Sequence, residues 1–334
     1  MMVTVAICTW NRAALLERTL AAMCSIRIPD GVSWELLVVN NNSTDNTDDV
    51  LSRYCARLPL RRLYEPKQGL SHARNCAVSA ANGDLLIWTD DDVLVDPDWL
   101  GEYAEAAQAH PDFSFFGGTV NPWFEVEPPA WITQHLTCFQ GPYAIRQLGG
   151  EVRPLTEDEE PFGANMAIRM NVAAAFSFDT ELGRKGNGML SGDESELTKR
   201  IKTRGHRGLW VGPARVRHFI TAGRLNARYL RKWFYEGGRS NIRMDGIGQD
   251  WRWFADMPLF ALKALWQARL KRAVFWYGKD RGWAKAFGDV PYYKGLIAEA
   301  RVVRRTMRQV SGEGVDNAKR LCGVVRIGAN LIKD

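Results

Sequence analysis

With 334 residues, 46% of them hydrophobic, the chain can bury one large core, or one core plus a smaller appended unit. The six cysteines, Cys8, Cys24, Cys55, Cys76, Cys138 and Cys322, are scattered without a C-x-x-C pair, which excludes a disulfide-stapled small domain and points to reduced thiols in the cytoplasm. No basic stretch precedes an apolar run at the N-terminus and no apolar segment is long enough to span a bilayer, so the expectation is a chain that is neither secreted nor membrane-spanning.

The net charge of +6 conceals a division. Residues 201–334 hold 28 Lys and Arg against 10 Asp and Glu, a net +18, while residues 1–200 hold 16 against 28, a net −12. A basic C-terminal third on an acidic body calls for an anionic partner: phospholipid, a pyrophosphate-linked acceptor or nucleic acid.

From the start, short β-branched or apolar runs alternate with helix-period segments. Residues 3–8, 36–39 and 85–89 read as buried parallel strands. Between them, residues 13–24 set Leu16, Leu20 and Met23 on one helical face, and residues 71–81 form an alanine-rich helix. This β-α-β-α-β order implies an α/β fold with an open, doubly wound sheet and ligands at the carboxyl ends of its strands. Asp96 is placed to cap a helix opened by Pro97 and running to 109, and a strand follows at 113–116. Residues 121–161, rich in Pro and Trp and closing on the acidic run 156–160, suit an excursion or lid. Residues 162–170 return to strand character. The glycine-rich stretch 181–192 reads as a mobile loop, and 194–203 as a helix.

Beyond His218 the composition turns basic and aromatic. Leu296, Ala300, Val303 and Met307 share one helical face, with Arg301, Arg304, Arg305 and Arg308 mostly on the others, as in a basic amphipathic helix. Residues 258–277 project no clean polar face and read equally well as packed core with snorkelling cations.

Three carboxylates, Asp90, Asp91 and Asp92, follow the apolar strand at 85–89. Their mutual repulsion at a strand end asks for a counter-cation, and oxygen ligands suit Mg2+ or Mn2+. A solvated, helix-capping loop is the plainer alternative. The turn Thr9-Trp10-Asn11-Arg12 lacks the glycines of a dinucleotide fingerprint, and no phosphate-binding P-loop motif occurs, which disfavours nicotinamide and P-loop enzymes. Asn40-Asn41-Asn42-Ser43-Thr44-Asp45, after the second strand, either reads a base or ribose or satisfies its own backbone as an Asx-rich turn.

Five stretches in order, VTVAICTWNR, VVNNNSTDNT, WTDDDVLVDPDWL, FGANMAIRM and SGDESELTKRIKTRG, together resemble family 2 of the inverting glycosyltransferases, which have the GT-A fold. That resemblance covers residues 3–205 and fades after about His218. It implies a mostly parallel Rossmann-like sheet flanked by helices, with a helical C-terminal extension. It further implies that Thr9, Asn11, Arg12, Asn41 and Arg74 surround the nucleotide. Asp90 and Asp91 would lie at the diphosphate, and Asp90, Asp92 and His218 at the metal. Glu194 takes the place of the family's catalytic base, with Asp193 as partner or substitute. Asn40 stands where the family often has aspartate, and the order Asp193-Glu194 inverts the usual Glu-Asp.

The expected domains are a GT-A catalytic unit over 1–220 and a basic aromatic helical region over 221–334. The expected reaction is metal-dependent transfer of a sugar from a nucleoside diphosphate sugar to a hydroxyl of a glycan or lipid-linked acceptor. The C-terminal third would rest on the anionic inner face of the cell membrane, with no nucleic acid as partner. Two other readings compete: a catalytically silent scaffold of the same fold, and a sugar nucleotidyltransferase, which would require an early glycine-rich phosphate loop.

Overall fold

The computed structural model describes residues 1–186, 188–274 and 281–312, with side chains to 309. In chain order the elements are β1 (Met2–Thr9), α1 (Ala13–Met23), β2 (Ser33–Asn40), α2 (Thr47–Tyr54), β3 (Leu60–Tyr64), α3 (Leu70–Ala80), β4 (Leu85–Asp90), β5 (Val93–Val95), α4 (Trp99–Ala109), β6 (Phe113–Phe124), α5 (Ala130–Thr133), β7 (Val152–Pro154), β8 (Asn165–Arg169), α6 (Met170–Ala173), α7 (Asp193–Thr203), β9 (Arg207–Ile220), α8 (Ala227–Asp245), β10 (Trp253–Phe254), β11 (Met257–Pro258), α9 (Leu259–Val274) and α10 (Arg281–Gly312). They fall into two compact units. The first comprises Met1–Glu127, Tyr143–Gly188 and Asp193–Ala222, and the second Pro128–Pro142, Met189–Gly192 and the chain from Gly223 onward.

In the first unit one sheet runs β3-β2-β1-β4-β8-β6-β9-β5, with β7 beside β9. Its first four strands are parallel; β1, β2 and β4 are the three that the alternating pattern predicts, and β3 adds an edge strand beside β2. Successive side chains of a strand point to opposite faces, so β1 feeds two cores. Val3, Val5 and Ile7 pack with Leu16 and Leu20 of α1 and with Trp99 and Tyr103 of α4. Ala6, with Leu37 and Trp88 from the neighbouring strands, packs with Ala73 and Ala77 of α3 and Leu197 and Ile201 of α7. Burial on both faces is why these strands read as continuous apolar runs.

Several expectations shift. The helix after the acidic triplet begins at Trp99, not Pro97. Asp96 contributes its backbone carbonyl, which accepts the Trp99 N–H (3.0 Å). The strand at 113 runs on to Phe124, so the proline- and tryptophan-rich stretch opens as sheet. Of its remainder, 128–142 joins the second unit and 143–161 the first. The acidic run there is tied down: Glu159 binds Arg153 through both carboxylate oxygens (2.8 Å each), and Lys202 donates to the carbonyls of Glu157 and Glu159 (2.7 and 2.8 Å).

In the second unit α8 and α10 cross closely, because a Cβ on Gly238 or Gly295 would collide with the backbone of the facing helix. Leu296 and Ala300 join Ile242, Ala261 and Leu265 in its core. The apolar face of the predicted amphipathic helix is therefore internal. Three of its arginines have a partner as well: Arg304, Arg305 and Arg308 converge on Asp256. Among the described residues no helix is long and apolar enough to cross a membrane. Five cysteines are free thiols, while Cys322 and residues 275–277 of the predicted aromatic segment lie outside the described residues.

Candidate active site

Register alone gathers the first site residues. Thr9 pairs with Asn40 across β1 and β2, and Cys8 with Asp90 across β1 and β4, so the turn after Thr9, the asparagine cluster and the acidic triplet emerge at one carboxyl edge. Asn11 occupies the left-handed region (φ 51°), which asparagine tolerates better than most residues. From there its Oδ1 accepts the backbone N–H of Thr44 (2.7 Å) and its own N–H donates to Ser43 Oγ (3.0 Å). Asn41 is buried and bound on both sides: its amide donates to the carbonyls of Glu65 and Lys67 (2.9 and 2.7 Å) and its Oδ1 accepts the Gly69 N–H (2.8 Å). Asn41 thus shapes the edge by clamping the loop that leads into α3.

The three aspartates separate by environment. Asp91 accepts the Thr9 hydroxyl (2.8 Å) and one Arg12 nitrogen (2.9 Å), and its carbonyl accepts Thr19 Oγ1 (3.0 Å). Burial nevertheless pushes its carboxyl up to about 6, against the pull of Arg12. The same Arg12 nitrogen reaches Asp92 Oδ2 (2.9 Å). Burial and the adjacent Asp92 charge raise Asp90 as well.

His218 reaches this edge from β9. β5 lies antiparallel to β9 with Val93 opposite His218, and the Phe219 N–H donates to the Asp92 carbonyl (2.8 Å). His218 Nδ1 lies 2.9 Å from the carbonyl of Tyr143. A carbonyl only accepts, so Nδ1 carries the hydrogen, and in the neutral ring Nε2 presents a lone pair. That lone pair stands 3.4 Å from Asp92 Oδ1. Either a proton on Nε2 or a cation beside the two groups answers the Asp92 carboxylate there. Asp90, Asp92 and His218 each offer one ligand atom within 4.8 Å of the others, a hard oxygen-and-imidazole set suited to a divalent cation.

A second acidic group sits where α7 begins. Arg74 of α3, buried, grips Asp193 through Nη1 and binds Glu194 Oε1 through Nη2 (2.7 Å). Gly163 leaves room for this fork, since a Cβ there would stand 2.2 Å from Glu194 Oε1. The two acids differ. Burial and the neighbouring Glu194 charge push Asp193 up to about 7. In Glu194, burial would raise the carboxyl, but Arg74 outweighs it and holds it below its ordinary range. Asp90 feels the charges of Arg74 and Glu194, so triplet and pair share one electrostatic neighbourhood. Sequence order hides this fork, because Arg74 and Glu194 are 120 positions apart.

Residues 4–153 match the model of Glycosyl transferase family 2. The chain carries a family 2 glycosyltransferase domain. It is 23% identical over 261 residues to the succinoglycan biosynthesis protein ExoM of Rhizobium meliloti (strain 1021), covering 75% of this chain and 78% of that protein. A stretch of 114 residues, 33% of this chain, is 34% identical to validoxylamine A glucosyltransferase of Streptomyces hygroscopicus subsp. jinggangensis (strain 5008), of which it spans 26%. Among solved structures, the mannosyltransferase PcManGT of Pyrobaculum calidifontis, in complex with GDP-Man and Mn2+, aligns over 96% of this glycosyltransferase and 78% of its own chain (TM-score 0.51, 18% identity). S. aureus TarS 1-349 in complex with UDP-GlcNAc aligns over 92% of each chain (TM-score 0.52, 15% identity). These neighbours place the glycosyltransferase in the GT-A fold.

Proposed function

We propose that this glycosyltransferase moves a sugar from a nucleoside diphosphate sugar to a hydroxyl of a glycan or lipid-linked glycan, with inversion at the anomeric carbon. One observation carries the reading: a ligand set of Asp90, Asp92 and His218 shares its electrostatic neighbourhood with an arginine-bound acid pair. The donor class is supported by the GDP-Man and UDP-GlcNAc bound in PcManGT and TarS, and a polysaccharide acceptor by the name of the ExoM relative. The free thiols favour a cytoplasmic setting.

Asp90, Asp92 and His218 would hold Mg2+ or Mn2+, the latter present in the PcManGT complex. Such an ion neutralises charge on a departing diphosphate. Arg12 and Thr9 hold Asp91 in place beside two ligands, and Asn11 and Asn41 fix the loops that frame the nucleotide. Glu194 is the general base. Of the two acids, it is the one whose carboxyl is held ionised and whose side chain reaches solvent, at 24% exposure against 2% for Asp193. As the acceptor oxygen bonds to the anomeric carbon, its proton passes to Glu194, and the bond to the diphosphate breaks with its electron pair on the leaving oxygen. Asp193 keeps Arg74 oriented, and Arg74 keeps Glu194 Oε1 aimed.

A panel of nucleotide sugars, read by thermal shift and by release of nucleoside diphosphate with Mn2+ or with chelator, tests this. The expected result is stabilisation and turnover with one donor, in the metal-containing arm. Release of inorganic pyrophosphate instead would indicate nucleotidyl transfer, and absence of turnover with every donor would favour a scaffold.

A further inference from the structure

Both sides of α9 are apolar. Ala261, Leu265 and Ala268 pack into the second unit's core. On the opposite side, Leu259, Trp266, Leu270 and Val274 follow at helical spacing and stand in the open, Trp266 at 64% and Val274 at 73% exposure. Phe260 and, in the hairpin just before the helix, Phe254 are exposed as well. Lys263 and Gln267 are the polar residues that interrupt this side. A helix side with this many exposed large apolar residues marks an interaction site.

The charges on α9 itself have one sign. Lys263 lies on the exposed arc, Arg269 and Lys271 border it, and α9 contains no Asp or Glu. Asp289 of α10 is the acid whose carboxyl feels Lys271. Elsewhere in the same unit arginines have close carboxylate partners: Arg239 and Arg243 on Glu299, and Arg304, Arg305 and Arg308 on Asp256.

We propose that the outer face of α9, with Phe254, binds the surface of an anionic phospholipid bilayer. Leucine, valine and phenylalanine enter the acyl boundary, the Trp266 indole sits at headgroup depth, and the cations meet lipid phosphates. Charge decides against a second copy of the chain as occupant, because a two-fold contact through this face would set the same cations against themselves. The proposal stands apart from the transfer chemistry and needs no donor to test.

The full chain is floated with phosphatidylcholine vesicles, with and without about a quarter phosphatidylglycerol. Wild type is expected to float with the anionic vesicles and stay behind with the neutral ones. The double variants W266S/L270S and K263E/K271E are each expected to float roughly tenfold less. All these positions are exposed, so melting curves should match wild type. Failure of wild type to float with anionic lipid, or flotation of either variant equal to wild type, overturns the proposal. So does a wild-type dimer in sedimentation that W266S/L270S converts to monomer, which would make this face a self-association surface.

Discussion

Arg74 Nη2 donates to Glu194 Oε1 across 2.7 Å, from an arginine 2% exposed to a glutamate 24% exposed. The cation is sealed in while its partner keeps an edge toward solvent, so the arginine orients a carboxylate that a substrate can still reach. E194Q keeps the shape and the accepting oxygen but removes the base. Turnover should fall by about 10²–10⁴-fold, with donor affinity in the thermal-shift assay unchanged. D193N should cost much less in kcat. Equal losses in the two variants would make Asp193 the base or the pair a joint one.

Asp193 also sets a pH dependence of stability. Its folded carboxyl is pushed up to about 7, above the usual unfolded value near 3.9. The folded state therefore holds its proton more tightly, and the associated stability is complete in acid and lost as pH rises toward about 7. Glu194, held low by Arg74, has the opposite sign and loses its contribution as pH falls. D193N removes the first effect alone. The melting temperature of wild type relative to D193N should decline from about pH 4 to about pH 7 and then level. A constant offset across that window would show that Asp193 stays ionised.

Much of this geometry was legible in the sequence and some was not, for physical reasons. β1, β2 and β4 are buried on both faces, so their apolar runs announced them. β3 and α2 escaped: Leu60–Tyr64 is a half-exposed edge strand with two arginines, and Thr47–Tyr54 is one short amphipathic stretch among polar residues. The acidic triplet was visible as a local repulsion. Its sorting was not, because Thr9, Arg12 and Thr19 hold Asp91 through contacts 72 to 82 positions away. In the C-terminal third, periodicity identified an amphipathic α10 but could not say that its apolar face packs inward, or that α9 presents one outward.

The sorting of the triplet yields a contrast between neighbours. D92N removes a carboxylate ligand atom of the Asp90, Asp92 and His218 set. It should weaken Mn2+ binding, followed by calorimetry, beyond the roughly 10–100-fold typical of an outer-shell change. D91N leaves that set intact and disturbs the Thr9 and Arg12 bonds. Its effect on Mn2+ should stay within that range, while the protein loses about 1–3 kcal/mol of stability. Equal Mn2+ affinities in the two variants would contradict this division of labour.

Behind the site, Asn165 is the joint on which β8, β6, β9 and α4 meet. Its Oδ1 accepts the Trp99 indole (2.7 Å) and the Tyr103 hydroxyl (2.9 Å), and its Nδ2 donates to the carbonyls of Thr119 (3.0 Å) and Ala214 (2.8 Å). All four bonds are buried, and a Cβ on neighbouring Gly118 would stand 2.4 Å from Nδ2, so nothing can move in to replace a lost amide. N165A strands several polar groups away from water, and N165D turns a carboxylate oxygen toward two carbonyls that it cannot satisfy. Each variant should lose about 3 kcal/mol or more in urea unfolding, since a stranded buried donor or acceptor costs about 1–3 kcal/mol. N165D should be no better than N165A despite its near-identical shape. An N165D protein as stable as wild type would mean that the donor half of the amide carries no weight, and that shape alone holds β6 and β9 beside β8.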